Sequence, residues 1–330
     1  MSSPKVTIVI PTYNRAHLLP PVIESITQQD YPDFDLLIVD DGSTDNTAEV
    51  IRPLAEADPR IRYFPLPRNG GIGYARHAGA NEVHTPYMAL GDSDDLWVPG
   101  RLKRQMDILE RHPEIDILFG DFLNIDHVNG TEELAFVESR AGMQYLRVRE
   151  LEPGLFLIED GVERGILYSN FIGAPTIVMR TDVIERIGNF DVRLSTPVDL
   201  EFGWRAAAMK MQFAYLDAPM IYRHRYTDSA TANGIQAFTQ RLTALDICQE
   251  TARTINRPDL LEHIHHSQVR SYRNLIRLYG EQQQRGSALR SYARSLRIDR
   301  SSRTALLLGL ALLGPSALNY AQHTRFRSSS

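Results

Sequence analysis

The sequence predicts an α/β fold in which a mostly parallel sheet is flanked by helices and followed by an α-helical C-terminal extension. Short apolar runs alternate with helical patterns through the first half of the chain, which is typical of βαβ units. Unusual polar and glycine residues follow those apolar runs directly, where ligand sites of parallel sheets lie. From Ile235 to about Arg300 the pattern is helical throughout. We therefore predict one α/β domain over residues 1–230 and a basic helical region over 231–330.

The apolar runs and helical patterns can be placed one by one. Expected strands of the first half are Val6–Ile10, Leu36–Val39, Ile61–Pro65, Tyr87–Leu90 and Ile115–Phe119. Expected helices between them are Leu18–Gln28, Thr47–Ala57, Gly73–Val83 and Arg101–Arg111. Beyond Ser169 we expect strands at Phe171–Met179, Phe213–Leu216 and Met220–Tyr222, and helices at Asp182–Ile187 and Leu200–Met209.

Composition excludes several classes of protein. A 330-residue chain with 43% hydrophobic and 23% charged residues has the composition of a globular protein and not of a disordered or fibrous one. A single cysteine, Cys248, excludes an internal disulfide framework and a cysteine-based zinc site. The net charge of −5 argues against nucleic acid as a partner. The N-terminus reads as a first strand and not as a signal peptide, so we expect a cytoplasmic protein.

An acidic cluster, Asp92-Ser93-Asp94-Asp95, follows the expected strand Tyr87–Leu90. Three carboxylates within four residues repel one another, and a divalent cation would relieve that repulsion. Carboxylate oxygens suit Mn²⁺ or Mg²⁺, and Mg²⁺ is commonly held by one or two carboxylates together with the phosphates of a substrate. The alternative is a solvated turn in which Asp95 caps a helix.

Two further loops carry polar chemistry after expected strands. In Asp40-Asp41-Gly42-Ser43-Thr44-Asp45, the Asp41 carboxylate can point at a base or ribose, or the segment can act only as a capping turn. The glycines of Arg68–Gly73 precede a helix whose N-terminal N–H groups favour an anion. This loop fits neither a dinucleotide fingerprint nor a Walker loop, and a bare glycine turn is the alternative.

Two sites in the second half are ambiguous from the residues alone. Asp199 stands at the start of an expected helix, where it could act as a helix cap or as a functional carboxylate. The segment Tyr222–Tyr226 offers arginines that can grip a phosphate and, in His224, a candidate metal ligand. A lone histidine is more often structural.

These motifs in series closely resemble family 2 glycosyltransferases of the GT-A fold. The resemblance is carried by Val9–Arg15, Val39–Asp45, Asn69–Arg76 and Asp92–Asp95, in this order and at these spacings. It covers about residues 5–110 strongly and about 170–228 more loosely. It implies an inverting enzyme that uses a nucleotide-sugar donor and a divalent metal.

The resemblance also implies roles for single residues. The nucleotide-sugar site would comprise Pro11, Thr12, Tyr13, Arg15, Asp41, Arg76, Asp92 and Ser93. Within it, Asp41 would contact the base, Asp92 would lie near the ribose and Arg76 near the diphosphate. Asp94, within the DXD motif of residues 92–94, would ligate Mn²⁺ or Mg²⁺ with support from Asp95.

The catalytic base implied by the family belongs to a Glu-Asp pair, which is Val198-Asp199 here. Asp199 is therefore the candidate base, and Glu201 is the reserve. The chain lacks the Gln-x-x-Arg-Trp motif of processive members, which favours transfer of a single sugar. A nucleotidyltransferase and a non-catalytic nucleotide-sugar-binding protein are the alternatives. The former normally has a glycine-rich, basic loop after its first strand, which Pro11–Arg15 is not.

The C-terminal region differs from the rest in charge. From Thr231 onward it has 14 arginines, no lysine and six acidic residues. The apolar segment Ala305–Leu313 lies between arginine-rich stretches, a combination that suits a helix on an anionic membrane surface. A helix that packs on the α/β domain is the alternative. We accordingly expect a UDP-, GDP- or dTDP-sugar donor, a saccharide or lipid-linked acceptor, and peripheral contact with the membrane.

Overall fold

The computed structural model describes residues 3–126, 131–135, 141–225, 234–299 and 302–315. By internal contacts the chain divides into two compact units, Met1–Thr227 and Asp228–Ser330. The expected division into residues 1–230 and 231–330 stays a prediction, and each unit is described below by itself.

The first unit begins with alternating strands and helices. They are β1 (Val6–Thr12), α1 (Leu19–Thr27), β2 (Phe34–Asp40), α2 (Thr47–Ala57), β3 (Ile61–Pro65), α3 (Ile72–Asn81), β4 (Tyr87–Leu90), β5 (Asp95–Trp97) and α4 (Arg101–Arg111). The remainder of this unit consists of β6 (Ile117–Asp126), β7 (Thr131–Ala135), β8 (Arg147–Glu152), β9 (Leu155–Asp160), α5 (Val162–Tyr168), β10 (Val178–Arg180), α6 (Asp182–Ile187), α7 (Val198–Ala208) and β11 (Phe213–Arg225).

One mixed sheet organises this unit. Its strand order is β3-β2-β1-β4-β10-β6-β11-β9-β8, with β5 paired to β11 and β7 to β6. Strands β1, β2, β3 and β4 pair in parallel, as do β6 and β11. Because β10 is antiparallel to both β4 and β6, the last two run in the same direction. The carboxyl ends of β1, β2, β4, β6 and β11 therefore lie along one edge of the sheet.

Apolar burial fixes the positions of the strands and helices. Residues Val6 and Ile8–Ile10 of β1 are fully buried, and α1 and α4 present Ile26 and Leu102 to the same core. Burying each such side chain contributes about 1.5–3 kcal/mol. The expected α/β fold is confirmed, and helices α2, α4 and α6 have the predicted bounds.

Two expectations in the second half were wrong in detail. The expected strand Phe171–Met179 is mostly not a strand, because Pro175 has no N–H for a ladder and residues Ala174–Thr176 form a 3₁₀ turn instead. The expected separate strands Phe213–Leu216 and Met220–Tyr222 are parts of the single strand β11, with register shifts on either side of Pro219.

The second unit is helical. It contains α8 (Gly234–Thr254), α9 (Leu261–Glu281), α10 (Arg285–Ser295) and α11 (Ser302–Leu313). Helix α11 contributes Leu308 and Ala311 to a small core with Ile276 and Ala288. Among the described residues, no helix combines the length and apolar character needed to cross a bilayer.

Candidate active site

The loops after β1 and β2 are tied together at the carboxyl edge of the sheet. Asn14 adopts a left-handed conformation with φ of 52°, which asparagine tolerates better than most residues. Its backbone N–H donates to Ser43 Oγ over 2.9 Å, and its Oδ1 accepts from the N–H of Thr44 over 2.8 Å. Sequence reasoning missed this role of Asn14, although an asparagine after a strand is a signal for such a turn.

The residues of Pro11–Arg15, which lie along this edge, differ in their exposure to solvent. Pro11 and Thr12 are buried, and no described residue makes a hydrogen bond with Thr12 Oγ1. Tyr13 is 43% exposed, whereas Arg15 is half-buried and its charge acts on Asp94. Tyr13 and Arg15 are thus two side chains of this segment that a ligand can reach.

Asp41 lies 3% exposed beneath the glycine loop. Its Oδ1 accepts from the N–H of Gly70 over 2.9 Å and its Oδ2 from the N–H of Gly71 over 2.7 Å. Burial raises the pKa of Asp41, and these two N–H groups oppose that rise. A Cβ at Gly42 would lie 2.7 Å from the carbonyl carbon of Arg68, so only glycine permits this approach.

The N–H groups of Gly70, Gly71 and Gly73 around the start of α3 are therefore not free, contrary to the sequence-based expectation of an open anion site. Gly70 and Gly71 donate to Asp41, and the N–H of Gly73 donates to the carbonyl of Leu194 over 3.1 Å. The anion at the start of this helix is the carboxylate of Asp41, which fixes the glycine loop to the end of β2.

Asp92 and Arg76 form a partly buried ion pair within this edge. Arg76 is 3% exposed and its NH2 donates to Asp92 Oδ1 over 2.7 Å. The Asp92 side chain retains 28% of its surface exposed. Arg76 thus positions a carboxylate of the acidic loop, and its predicted approach to a diphosphate stays a prediction.

Asp94 and Asp95 differ in burial, and Ser93 between Asp92 and Asp94 is also buried. Burial, followed by the negative charge of Asp92, raises the pKa of the half-buried Asp94, while Arg15 favours its charged form. Asp95 is only 4% exposed, and burial together with Asp92 and Asp94 raises its pKa well above the usual range. Of the three carboxylates in this loop, those of Asp92 and Asp94 are the ones accessible to a bound cation.

Two arginines lie close to the acidic loop. Arg223 of β11 pairs in register with Asp95 of β5, and its charge lowers the pKa of both Asp94 and Asp95. Burial lowers the pKa of Arg101 to about 9, and its guanidinium lies 3.7 Å from the centroid of the Trp97 ring. The backbone of His224 belongs to β11, but its side chain lies outside the described residues.

Asp199 occupies the first turn of α7 and is half-buried. Its Oδ2 accepts from Asn170 Nδ2 over 2.9 Å, and its Oδ1 accepts from the N–H of Leu200 over 3.0 Å. Burial raises the pKa of Asp199, and the nearby charge of Arg76 lowers it. Arg76 therefore donates a hydrogen bond to Asp92 and lowers the pKa of Asp199 through its charge. These two interactions connect the acidic loop with the start of α7. No sequence signal identified Asn170.

Glu201, two residues along the same helix, has a different environment. It is 0% exposed, and its two oxygens accept from Arg205 Nε over 2.7 Å and from Arg205 NH2 over 3.1 Å. Arg205 also donates to the carbonyls of Ile187 and Asn189. Glu201 is thus committed to a buried ion pair that fixes the α6–α7 connection, and it has no surface for an acceptor.

No group of three or more His, Cys, Asp or Glu side chains among the described residues forms a protein-only metal cage. Asp92 and Asp94 nevertheless fit a hard cation that takes its remaining ligands from phosphate oxygens and water. Burial and, after it, the negative charge of Asp92 raise the pKa of Asp94, and a bound cation would relieve both penalties on the charged carboxylate.

Comparison with known sequences adds a family. Residues 7–158 match the family described as Glycosyl transferase family 2. An uncharacterized glycosyltransferase of Methanocaldococcus jannaschii is 26% identical over 219 residues, covering 66% of this chain and 69% of the relative. TuaG of Bacillus subtilis, assigned by name to teichuronic acid biosynthesis, is 31% identical over 106 residues, covering 32% of this chain and 42% of TuaG. The matched segment therefore spans less than half of TuaG.

Solved structures share the fold. S. aureus TarS 1–349, determined in complex with UDP-GlcNAc, superposes with a TM-score of 0.57 at 16% identity over 87% of this chain and 89% of that chain. The mannosyltransferase PcManGT from Pyrobaculum calidifontis, in complex with GDP-Man and Mn²⁺, gives a TM-score of 0.58 at 17% identity over 97% and 84% of the two chains. At these identities the likeness concerns the fold alone.

Proposed function

We propose that this enzyme, whose residues 7–158 match the family described as Glycosyl transferase family 2, transfers a single sugar from a nucleotide-diphosphate sugar to a hydroxyl of a saccharide or lipid-linked acceptor, with inversion. The observation that carries the proposal is Arg76, which donates to Asp92 and whose charge acts on Asp199. This supports placing the candidate donor-binding loop and the candidate base, more than 100 residues apart in the chain, in one site.

The donor would bind along the carboxyl edge of the sheet. Tyr13 offers an exposed ring for stacking on a base, and Arg15 offers a cation for a phosphate. Pro11, Thr12 and Ser93 would shape the pocket from below, since all three are buried. Asp41 would reach a base or ribose through lone pairs not used by Gly70 and Gly71. TarS and PcManGT bind uridine and guanosine donors respectively, so the nucleobase stays open.

A divalent cation, Mn²⁺ or Mg²⁺, would neutralise the charge that builds on the departing diphosphate. Asp94 would hold it, because its carboxylate is partly exposed and crowded by Asp92. Asp95 would support Asp94 from the interior. Arg223 stands opposite Asp95 and contributes positive charge to the same loop. His224 stays a candidate ligand from sequence alone.

Asp199 would remove the proton of the acceptor hydroxyl as its oxygen attacks the anomeric carbon from the face opposite the leaving group. Asn170 and the N–H of Leu200 fix the orientation of the carboxylate. Each carboxylate oxygen accepts one bond from these donors and retains a lone pair for the acceptor. The raised pKa makes Asp199 a stronger base than an exposed aspartate.

Donor binding is the direct test of this proposal. In a thermal-shift screen of UDP-, GDP- and dTDP-sugars, we expect one donor to raise the melting temperature more with Mn²⁺ than with a chelator. Replacing Asp94 by Asn should abolish the metal-dependent part of that shift and lower the transfer rate about 10²–10³-fold. Lys103→Gln, at an exposed lysine on α4, is the control and should keep both properties. A full metal-dependent shift and full turnover in Asp94→Asn would remove Asp94 from the metal site.

Two observations support a proposal for the cellular setting of the protein. The name of TuaG assigns it to teichuronic acid biosynthesis, and on this likeness we propose that the protein is a cytoplasmic enzyme of cell-envelope glycan synthesis. Helix α11 leaves Leu306 and Leu313 exposed by 64% and 76%, which supports peripheral contact with an anionic membrane. The double variant Leu306→Gln/Leu313→Gln should therefore co-sediment less with vesicles containing phosphatidylglycerol. Equal sedimentation of variant and parent would exclude these leucines as the membrane contact.

A further inference from the structure

A groove of about 590 Å³ lies within the helical unit. Helix α8 contributes Asp246, Gln249 and Arg253, whose spacing of three and then four residues places them on one face. Helix α9 contributes His265, Gln268 and Tyr272 at the same spacing. Arg294 of α10 and, just beyond that helix, Arg297 and Ile298 complete the wall. Two helices thus align matched polar faces across one cavity.

The groove combines positive charge with both donors and acceptors of hydrogen bonds. Within the described ranges, Arg253, Arg294 and Arg297 form no ion pair with a carboxylate, and all three are exposed. Gln268 is 3% exposed, and its amide donates to Asp246 Oδ1 over 2.7 Å and to Gln249 Oε1 over 3.2 Å. No described residue donates to the Oε1 of Gln268. The buried amide is therefore an unmatched acceptor on the groove wall.

We propose that this groove binds an anionic saccharide, a glycan whose sugar units carry carboxylate or phosphodiester groups. Three arginines match the anionic groups, and the half-buried ring of Tyr272 offers an apolar face to a sugar ring. Asp246 and the two glutamines match sugar hydroxyls, which both donate and accept hydrogen bonds. A site for a bare phosphate gains nothing from the carboxylate of Asp246, and a flat lipid surface does not fill a concave groove.

The role of this saccharide as the sugar acceptor rests on the proposed function, but its binding does not. Binding is therefore measured on the full chain without any donor. The probes are hexagalacturonate and a hexasaccharide whose sugar units are joined by phosphodiesters, which separate carboxylate from phosphodiester chemistry. Maltohexaose is the neutral comparison, and inorganic phosphate tests a bare oxyanion.

The decisive variant is Arg294→Gln/Arg297→Gln, because both arginines line the groove and are exposed, so the fold tolerates their loss. The matched control is Arg285→Gln/Arg290→Gln, which removes the same charge from exposed positions of α10 outside the groove. We expect at least one anionic hexamer to bind more tightly than maltohexaose and phosphate. Its affinity should fall at least about tenfold in the groove variant and stay unchanged in the control.

Three results would overturn the proposal. They are binding of neither anionic hexamer, equal binding of maltohexaose, and equal losses in the two double variants. Failure of the proposed function would appear differently, as an absence of donor binding and transfer in the chain with an intact groove.

Discussion

The two sides of helix α7 differ in what their carboxylates can do. Asp199 is half-buried, and its donors among the residues that the structure describes are neutral, the amide of Asn170 and the N–H of Leu200. Glu201 is fully buried and bonded at both oxygens to the guanidinium of Arg205. A carboxylate whose two oxygens both pair with a buried guanidinium has a structural role. A carboxylate held by neutral donors is oriented by them and can still accept a proton. Proximity to a site is therefore a weaker guide to catalysis than the partners of the side chain.

The largest expected effect comes from removing the base itself. Asp199→Asn keeps the shape of the side chain but cannot take a proton, so the transfer rate should fall about 10²–10⁴-fold. Thermal unfolding and donor binding should stay near those of the parent, because the donor-binding loops are unchanged. Steady-state transfer with the donor identified by thermal shift is the measurement. A loss below tenfold would mean that another group accepts the acceptor proton.

Glu201, on the opposite side of the helix, is expected to affect stability and not turnover. Glu201→Gln leaves the Arg205 guanidinium buried beside a neutral amide, and breaking a buried ion pair in this way costs about 3–5 kcal/mol of unfolding free energy. We expect a lower midpoint in urea unfolding but unchanged turnover per folded molecule. Glu163→Gln is the control, because Glu163 pairs with the exposed Lys210 and its loss should change stability little. If Glu201→Gln were as stable as the parent but inactive, the contrast between the two carboxylates would be reversed.

The sequence predicted the first half of the fold well for a physical reason. Buried parallel strands are continuous apolar runs, and the helices between them begin and end at local signals, so α2 and β3 have the predicted bounds. Strands β8 and β9 were not predicted, because the antiparallel pairing that stabilises them depends on partners distant in the chain.

For the candidate site, the sequence predicted which loops lie together but not which residues contact each other. The loops after Ile10, Val39 and Leu90 were expected at one edge because parallel strands end together. The partners within the site were not, since Asn170 meets Asp199 and Asp41 meets Gly70 only through the tertiary fold. The groove of the helical unit was missed for the related reason that its polar residues form no motif along the chain.

The smallest expected effect is a shift in pH dependence. Asp199 must be ionised to act as base, and because burial raises its pKa, kcat/KM should fall with decreasing pH at a higher pH than for an exposed aspartate. The amide of Asn170 donates to the carboxylate and so lowers this pKa. Asn170→Ala should therefore raise the pKa of Asp199 and move the acid limb to higher pH, by up to about one unit. Asn81→Ala, which removes an exposed asparagine contact elsewhere in the unit, should leave the limb in place. An unmoved acid limb in Asn170→Ala would show that a group other than Asp199 sets the pH dependence.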